Sequence, residues 1–195
     1  MNAADHLKAL ECALIALRSE LARMTRWGCD IGGILQGGGR LLAVGNGGSA
    51  AHAQHLTAEL VGRYCDERPP FSAIALHADT SALTALVNDY GPEAAMARAV
   101  HAHGRTGDVL VALSTSGRSG NVLAAGVAAR AIGMTVLAMT GRRPNPLAEF
   151  ADDALCVDGP TPIVQEVHQV AVHLVCEAFD AYLLAPASRA IGGLS

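Results

Sequence analysis

The sequence has few aromatic residues, little charge and no long apolar run. Aromatic residues make up 4% and charged residues 16% of its 195 residues, and the formal net charge is −4. Proteins hold exposed bases by stacking on aromatic side chains and hold nucleic-acid phosphates with basic patches. Neither feature stands out here, so nucleic acid is not an expected partner. No uninterrupted apolar stretch reaches the roughly 18 residues that indicate a transmembrane helix, so no membrane association is expected.

The cysteines are odd in number and form no C-x-x-C pair. They are scattered at Cys12, Cys29, Cys65, Cys156 and Cys176. This spacing favours reduced thiols over a disulfide framework. The first residues lack a positively charged region followed by an apolar one, so no signal peptide is expected. We therefore expect a cytoplasmic protein.

Hydrophobic residues, by contrast, make up 51% of the chain, which is long enough for one domain with a substantial core. Because large exposed apolar patches are rare on monomers, we expect other subunits to cover part of the surface. Apolar residues spaced by three and four predict a long amphipathic helix over residues 4–26, which extends to about Leu35. Two interpretations of its apolar stripe stay open: a contact between subunits, or packing on its own domain.

Short apolar segments alternate with helical ones from residue 41 onward. Strands are predicted at residues 41–44, 72–76, 109–113, 135–139 and 154–157. Helices are predicted near residues 50–62, 80–87, 93–101, 119–131 and 146–150, and from Pro160 to Leu183. This alternation predicts an α/β fold with a parallel five-stranded sheet that is covered by helices on both faces. Such sheets bind ligands outside the carboxyl ends of their strands.

The segment after the first strand combines a glycine-rich loop with two polar residues on a helix. Gly45-Asn46-Gly47-Gly48-Ser49 lets the backbone approach a ligand closely at the start of the next helix. His55 and Glu59 are four residues apart and therefore share one face of that helix. An imidazole and a carboxylate in this position indicate a metal site or an acid/base centre. The alternative is that His55 caps a polar patch and Glu59 is solvated surface.

A second polar loop follows the third strand. Its hydroxyl groups belong to Ser114, Thr115, Ser116 and Ser119. Together with the start of a helix, they predict a cradle for a phosphate monoester, whereas the alternative is a serine-rich capping turn. No Walker A loop occurs, and no Gly-x-Gly-x-x-Gly segment follows a strand, which argues against nucleoside triphosphates and dinucleotides.

The last predicted helix carries Gln165, Glu166, His168 and His173 in an otherwise apolar segment. Gln165 and His173 lie two turns apart, about 12 Å along the axis, and both side chains can lean toward one atom between them. Because an isolated helical histidine is more often a core residue, a ligand role requires this helix to face His55 and Glu59.

Arg63 and two polar sites at the ends of the helix near 80–87 have open roles. Arg63 is one of few cations near the predicted site, and a surface role is equally compatible with its position. Asp79 is suited to cap the helix near 80–87, and Asn88-Asp89-Tyr90-Gly91 to end it in a tight turn.

Together these residues resemble the phosphoheptose isomerases (sedoheptulose 7-phosphate isomerases) of the SIS, or sugar isomerase, superfamily. The resemblance runs from about residue 40 to 184. Its segments are Gly45–Ala51, Ala53-Gln54-His55, Ala58-Glu59-Leu60, Arg68-Pro69, Asn88–Gly91, Gly107–Leu110, Ser114–Gly117, Asn121-Val122-Leu123, Leu137–Gly141 and Gln165–His168. It implies a homotetramer of flavodoxin-like subunits with active sites at subunit interfaces. The implied reaction interconverts sedoheptulose 7-phosphate and D-glycero-D-manno-heptose 7-phosphate through an enediol, as a first step toward nucleotide-activated heptose.

The resemblance also implies roles for individual residues. The zinc ligands, one ion per subunit, are His55, Glu59, Gln165 and His173, and the acid/base residues are Glu59 and His173. The phosphate-binding residues are Ser114, Thr115, Ser116 and Ser119. The other substrate-binding residues are Asn46, Gly47, Gly48, Ser49, Arg63, Asp89 and Gln165. The implied organisation is an oligomerising helical region (1–36), an SIS domain (37–184) and a tail (185–195).

Some residues depart from the family pattern and leave the choice of substrate open. His52 stands where an aspartate is usual, Pro162 and Ile163 are unusual before Gln165, and Arg142-Arg143-Pro144 replaces a glycine-rich loop. A non-catalytic branch of the superfamily, which resembles a scaffold that binds the replication initiator DnaA, is the alternative. That branch loses the acid and base, whereas this chain retains Glu59 and His173.

Overall fold

The structure is a computed structural model and describes residues 2–185. Its strands are β1 (Leu41–Val44), β2 (Ala73–Ala75), β3 (Val109–Ser114), β4 (Thr135–Thr140) and β5 (Asp153–Cys156). All neighbouring strands are parallel, in the order β2-β1-β3-β4-β5. This is the order of flavodoxin-like sheets. The predicted α/β fold with a five-stranded parallel sheet is therefore confirmed.

Helices cover both faces of this sheet. They are α1 (Ala3–Leu17), α2 (Leu21–Gln36), α3 (Gly48–Val61), α4 (Thr80–Tyr90), α5 (Pro92–His103), α6 (Gly120–Ile132), α7 (Pro146–Phe150) and α8 (Thr161–Leu184). Alternate strand residues face two separate cores: Leu41 and Ala43 pack with α1, α2, α3 and α8, whereas Leu42 and Val44 pack with α5, α6 and α7. This alternation is the normal consequence of side chains pointing to opposite faces of a strand. It also explains why the strand segments are apolar throughout.

The predicted long N-terminal helix is confirmed over residues 3–36. A 3-10 turn at Arg18–Glu20 divides it into α1 and α2. Leu10 and Leu14 pack against the core of the same chain, and His6 lies 2.8 Å from the carboxylate of Glu166 on α8. Packing on its own domain is therefore present. A contact between subunits through α1 stays a prediction.

The contact between α2 and α8 is unusually close. A Cβ atom placed on Gly28 would lie 2.5 Å from the Cβ of Ala178, which is shorter than any normal contact. Only glycine lets the two helices approach this far. Trp27, on the same helix, is 1% exposed, so α2 is anchored in the core on both sides of Gly28.

The residues predicted to end α4 in a turn belong to the helix instead. Helix α4 continues through Asn88, Asp89 and Tyr90 and ends at Gly91, whose φ of +80° favours glycine. The predicted cap at its start is confirmed, because the Asp79 carboxylate accepts a hydrogen bond from the Ala82 amide at 3.0 Å. The predicted tail lies outside the described residues from residue 186 onward. Within the described part, none of the helices is both long and apolar enough to span a bilayer.

Candidate active site

The two polar loops predicted from the sequence meet where the strand order reverses. Strands β1 and β3 are neighbours, and α3 and α6, which follow them, pack on opposite faces of the sheet. A crevice outside the carboxyl ends of the strands forms at such a point, and parallel α/β sheets place their ligands there.

The glycine-rich loop after β1 is joined to the start of α6 by a pair of amides. The Asn46 side chain donates to Asn121 at 2.9 Å, and the Asn121 side chain donates back to Asn46 at 2.8 Å. Gly47, with a φ of +53°, precedes α3, and the amide of the buried Ser49 donates to the Asn46 carbonyl. Asn121 lies in a segment of the family resemblance but is not among the predicted site residues. The amide pair fixes the two loops relative to each other.

The hydroxyl groups after β3 converge at the start of α6. The Ser114 and Ser119 hydroxyls share a hydrogen bond at 3.0 Å, and the Ser116 hydroxyl lies 3.5 Å from that of Ser114. The Arg118 amide donates to Ser116 at 3.2 Å, and Thr115 occupies the same turn. Ser119 is the residue before α6 and its hydroxyl makes no capping bond. The hydroxyls and the positive end of the helix dipole therefore face one place, which suits an anion.

Helices α3 and α8 bring His55, Glu59 and His173 together. The Nε2 atom of His55 lies 3.1 Å from Oε1 of Glu59 and 2.9 Å from Nε2 of His173. One potential ligand atom from each of the three residues lies within 4.8 Å of the others. Two imidazoles and a carboxylate are a common donor set for zinc and other divalent metals. The requirement that the last helix face His55 and Glu59 is met.

Two glutamines of α8 occupy different parts of this site. Gln165 packs over the glycine-rich loop, because a Cβ atom on Gly48 would lie 2.5 Å from its amide nitrogen. Gln169, one turn further on, places its amide nitrogen 3.1 Å from Nε2 of His173. Gln169 is not among the residues predicted from the sequence. Its spacing of four residues from both Gln165 and His173 was the available signal.

Arg63 and Asp89 are not brought to this cluster. Both side chains are exposed, and Arg63 donates to the Cys65 carbonyl at 2.6 Å. Asp89 accepts from the neighbouring Asn88 side chain at 2.8 Å. Within residues 2–185, no hydrogen bond connects either side chain to the histidines or to the polar loops. Their predicted substrate contacts stay predictions.

A buried ion pair holds the end of α3 against α8. Arg68 pairs with Asp180 at 2.8 Å, and their side chains are only 7% and 12% exposed. The same guanidinium donates to the Glu59 carbonyl at 2.5 Å. Arg68 therefore connects the helix end that carries Glu59 to the helix that carries His173.

His168 is a core residue. It is fully buried, and its Nε2 atom donates to the Thr140 carbonyl at 3.1 Å. Burial lowers the pKa of His168 to about 4, so the side chain is neutral near pH 7. His52, which replaces the usual aspartate, is half-buried, and its pKa is lowered by burial and by His55.

Comparisons with known proteins identify the family of the chain. Residues 28–141 match the model of the SIS domain family. A phosphoheptose isomerase of Streptomyces coelicolor is 62% identical over 179 residues, which cover 91% of this chain and 78% of that protein. The structure of phosphoheptose isomerase GmhA from Neisseria gonorrhoeae has a TM-score of 0.84 at 40% identity, and covers 91% of this chain and 96% of that one. A phosphoheptose isomerase structure from Francisella tularensis has a TM-score of 0.81 at 33% identity, over 93% of this chain and 100% of that one. The chain therefore belongs to the phosphoheptose isomerase family of SIS-domain proteins.

Proposed function

We propose that this protein interconverts sedoheptulose 7-phosphate and D-glycero-D-manno-heptose 7-phosphate, an aldose–ketose isomerisation. The convergence of His55, Glu59 and His173 beside two polar loops is the observation that carries the proposal. The names of the similar proteins support an isomerase of a phosphorylated heptose.

The phosphate group of the substrate would bind at the hydroxyl loop. Ser114, Ser116 and Ser119 offer hydroxyl donors at the start of α6, and Thr115 lies in the same turn. The helix dipole favours a dianion at this end. The sugar would then extend toward Asn46, Ser49 and Gln165 at the glycine-rich loop, where the space beside Gly47 is open.

Proton transfer would be carried out by Glu59 and His173. In the ketose-to-aldose direction, a base removes a proton from C1 and the enediol regains a proton at C2, while the proton between the two oxygen atoms changes place. Glu59 is the proposed base, since its carboxylate lies in a cluster that is partly shielded from solvent. His173 is the proposed acid/base at the carbonyl oxygen.

A zinc ion is the proposed cofactor, one per subunit. The donor set of His55, Glu59 and His173 fits it, and Gln165 is the fourth proposed ligand. A bound zinc ion would polarise the substrate carbonyl. The chain's own contribution is to hold these side chains in place through the packing of α3 on α8 and the Arg68–Asp180 pair.

A homotetramer with sites at subunit interfaces is part of the proposal. Leu7 and Ile15 of α1 are 61% and 63% exposed, and α4 has no fully buried residue. Such surfaces are candidates for burial by neighbouring subunits. If a neighbouring subunit completes each site, exposed residues such as Arg63 and Asp89 would contact the substrate bound at that subunit's site. A cytoplasmic location is proposed from the reduced, unpaired cysteines among the described residues.

The alternative of a scaffold that binds the replication initiator DnaA finds no support in these observations. The acid and base that such a scaffold loses are both present, and they lie together. Incubation of the purified protein with sedoheptulose 7-phosphate, followed by an assay for the aldose phosphate, separates the two functions. Aldose formation supports the isomerase, and its absence with zinc supplied would contradict it.

A further inference from the structure

Gln169 lies beside His173 of the histidine cluster, and the proposed function gives it no role. It is half-buried on α8, one turn before His173. Its amide nitrogen is 3.1 Å from Nε2 of His173, and Nε2 of His55 is 2.9 Å from the same atom. The Nε2 atom of His173 thus has two polar neighbours on different helices.

One imidazole nitrogen cannot satisfy both neighbours well. A neutral imidazole nitrogen offers either one N–H group or one lone pair, so only one of the two contacts can be a well-formed hydrogen bond. The polar atoms of His55, His173 and Gln169 therefore cannot all be hydrogen-bonded to one another. A cation between them would accept a lone pair from each side chain, so that no contact would be left unsatisfied.

The spacing also agrees with that of ligands on one metal ion. Two ligands at the 2.0–2.1 Å bond lengths of a tetrahedral zinc site are about 3.3 Å apart, close to the separations around His173. Rotation of the Gln169 amide by about 180° exchanges its nitrogen and oxygen, which have nearly the same shape. In the rotated amide, the carbonyl oxygen takes the place of the nitrogen, which lies 3.1 Å from Nε2 of His173.

We propose that the amide oxygen of Gln169 is a further metal ligand, in addition to His55, Glu59 and His173. Gln165 packs on Gly48 of the glycine-rich loop, at a different part of the site. Zinc can expand from four ligands to five. With His55, Glu59, His173 and Gln169 bound, the fifth position would accommodate Gln165 or, in its place, the substrate carbonyl. This inference rests on the metal centre of the proposed function.

Metal affinity and the spectrum of bound cobalt test this role without any measurement of turnover. Metal-free wild type and Gln169→Leu would each be titrated with zinc against a chelator, and with Co²⁺ while the visible spectrum is recorded. We expect Gln169→Leu to raise the dissociation constant for zinc by at least ~10-fold, as losses at metal centres commonly do, and to shift the cobalt spectrum. Gln169→Glu restores an oxygen donor and should return the affinity to the wild-type range or better.

Val170 offers a matched control, because it is exposed on the next position of the same helix. Val170→Ala should leave the affinity and the spectrum unchanged. Unchanged values in Gln169→Leu as well would overturn the inference while leaving the metal centre of the proposed function intact. A wild type that takes up neither ion would overturn both. Aldose formation, assayed separately, would still report on the isomerase itself.

Discussion

The Nε2 atoms of His55 and His173 lie 2.9 Å apart, although the residues are separated by 118 positions in the sequence. His55 belongs to α3, which follows β1, the first strand. His173 belongs to α8, which follows β5, the last strand. Their contact exists only because both helices pack on the same face of the sheet. The site is therefore a product of the tertiary fold, and its chemistry depends on how firmly α3 and α8 are held together.

Replacement of either histidine should remove most of the bound metal. We expect purified wild type to retain or accept about one zinc ion per subunit at neutral pH, and His55→Ala and His173→Ala to hold much less, because each loses one of three clustered donors. Elemental analysis after dialysis measures this. His101→Ala, which alters an exposed histidine of α5, is the control. Equal zinc content in all four proteins would argue against the assigned ligands.

Ser116→Ala should mainly raise KM. The Ser116 hydroxyl is exposed at the hydroxyl loop. A phosphate group bound there as proposed would be held similarly in the ground and transition states, so the variant would lose uniform binding. Steady-state kinetics with sedoheptulose 7-phosphate provides the measurement. Ser19→Ala, in the exposed turn between α1 and α2, should behave like wild type. A fall in kcat at unchanged KM would place Ser116 elsewhere in the mechanism.

Arg68→Met should destabilise the fold by about 3–5 kcal/mol, because it leaves the buried Asp180 carboxylate without its partner. Urea unfolding monitored by circular dichroism measures the change. The double variant Arg68→Met/Asp180→Leu should lose less than the sum of the two single variants, since it leaves no unpaired charge. Additive losses would show that the ion pair does not act as a unit.

Stability should fall as the pH falls from about 6.5 toward 4. Burial lowers the pKa of His168 to about 4, whereas in the unfolded chain it is near 6.5, so between these values the unfolded state binds a proton that the native state does not. This contributes up to about 1.4 kcal/mol per pH unit. Urea unfolding at pH 7, 6 and 5 should show a weaker pH dependence for His168→Gln than for wild type.

The same comparison contains its own control. Burial also lowers the pKa values of His52 and His77, but both residues are present in wild type and in His168→Gln, so their contributions largely cancel in the difference. His101→Gln, at an exposed position, should retain the wild-type pH dependence. Equal pH dependence in wild type and His168→Gln would contradict the assigned pKa.

Much of the sheet could be predicted because its strands are buried on both faces. The apolar run Leu41–Val44 coincides with β1 to the residue. The end of α4 could not be predicted from turn-forming residues, since Asn88 and Asp89 are tolerated in a helix when Gly91 supplies the stop. The 3-10 turn at Arg18–Glu20 contains no glycine or proline, so the sequence gives no signal from which the turn could be predicted.

The site was predictable only in part. The spacing of His55 and Glu59 places them on one helix face from local geometry alone. The approach of His173 depends on packing between helices far apart in the chain, and the Arg68–Asp180 pair has no local signature for the same reason. Gln169 was overlooked because an isolated glutamine on a helix is most often solvated surface.

In the proposed aldose–ketose isomerisation, Glu59 transfers the proton. The most direct test is the rate of aldose formation from sedoheptulose 7-phosphate by wild type, Glu59→Gln and the control Glu177→Gln, which alters an exposed carboxylate of α8. Glutamine keeps the size of the side chain but not its basicity, so kcat should fall at least ~10²-fold, as is typical when an acid/base group is lost, with the fold intact by circular dichroism. Glu177→Gln should turn over at the wild-type rate. Near-normal turnover by Glu59→Gln would contradict the role of Glu59 as the base, and no aldose from wild type supplied with zinc would contradict the isomerase function.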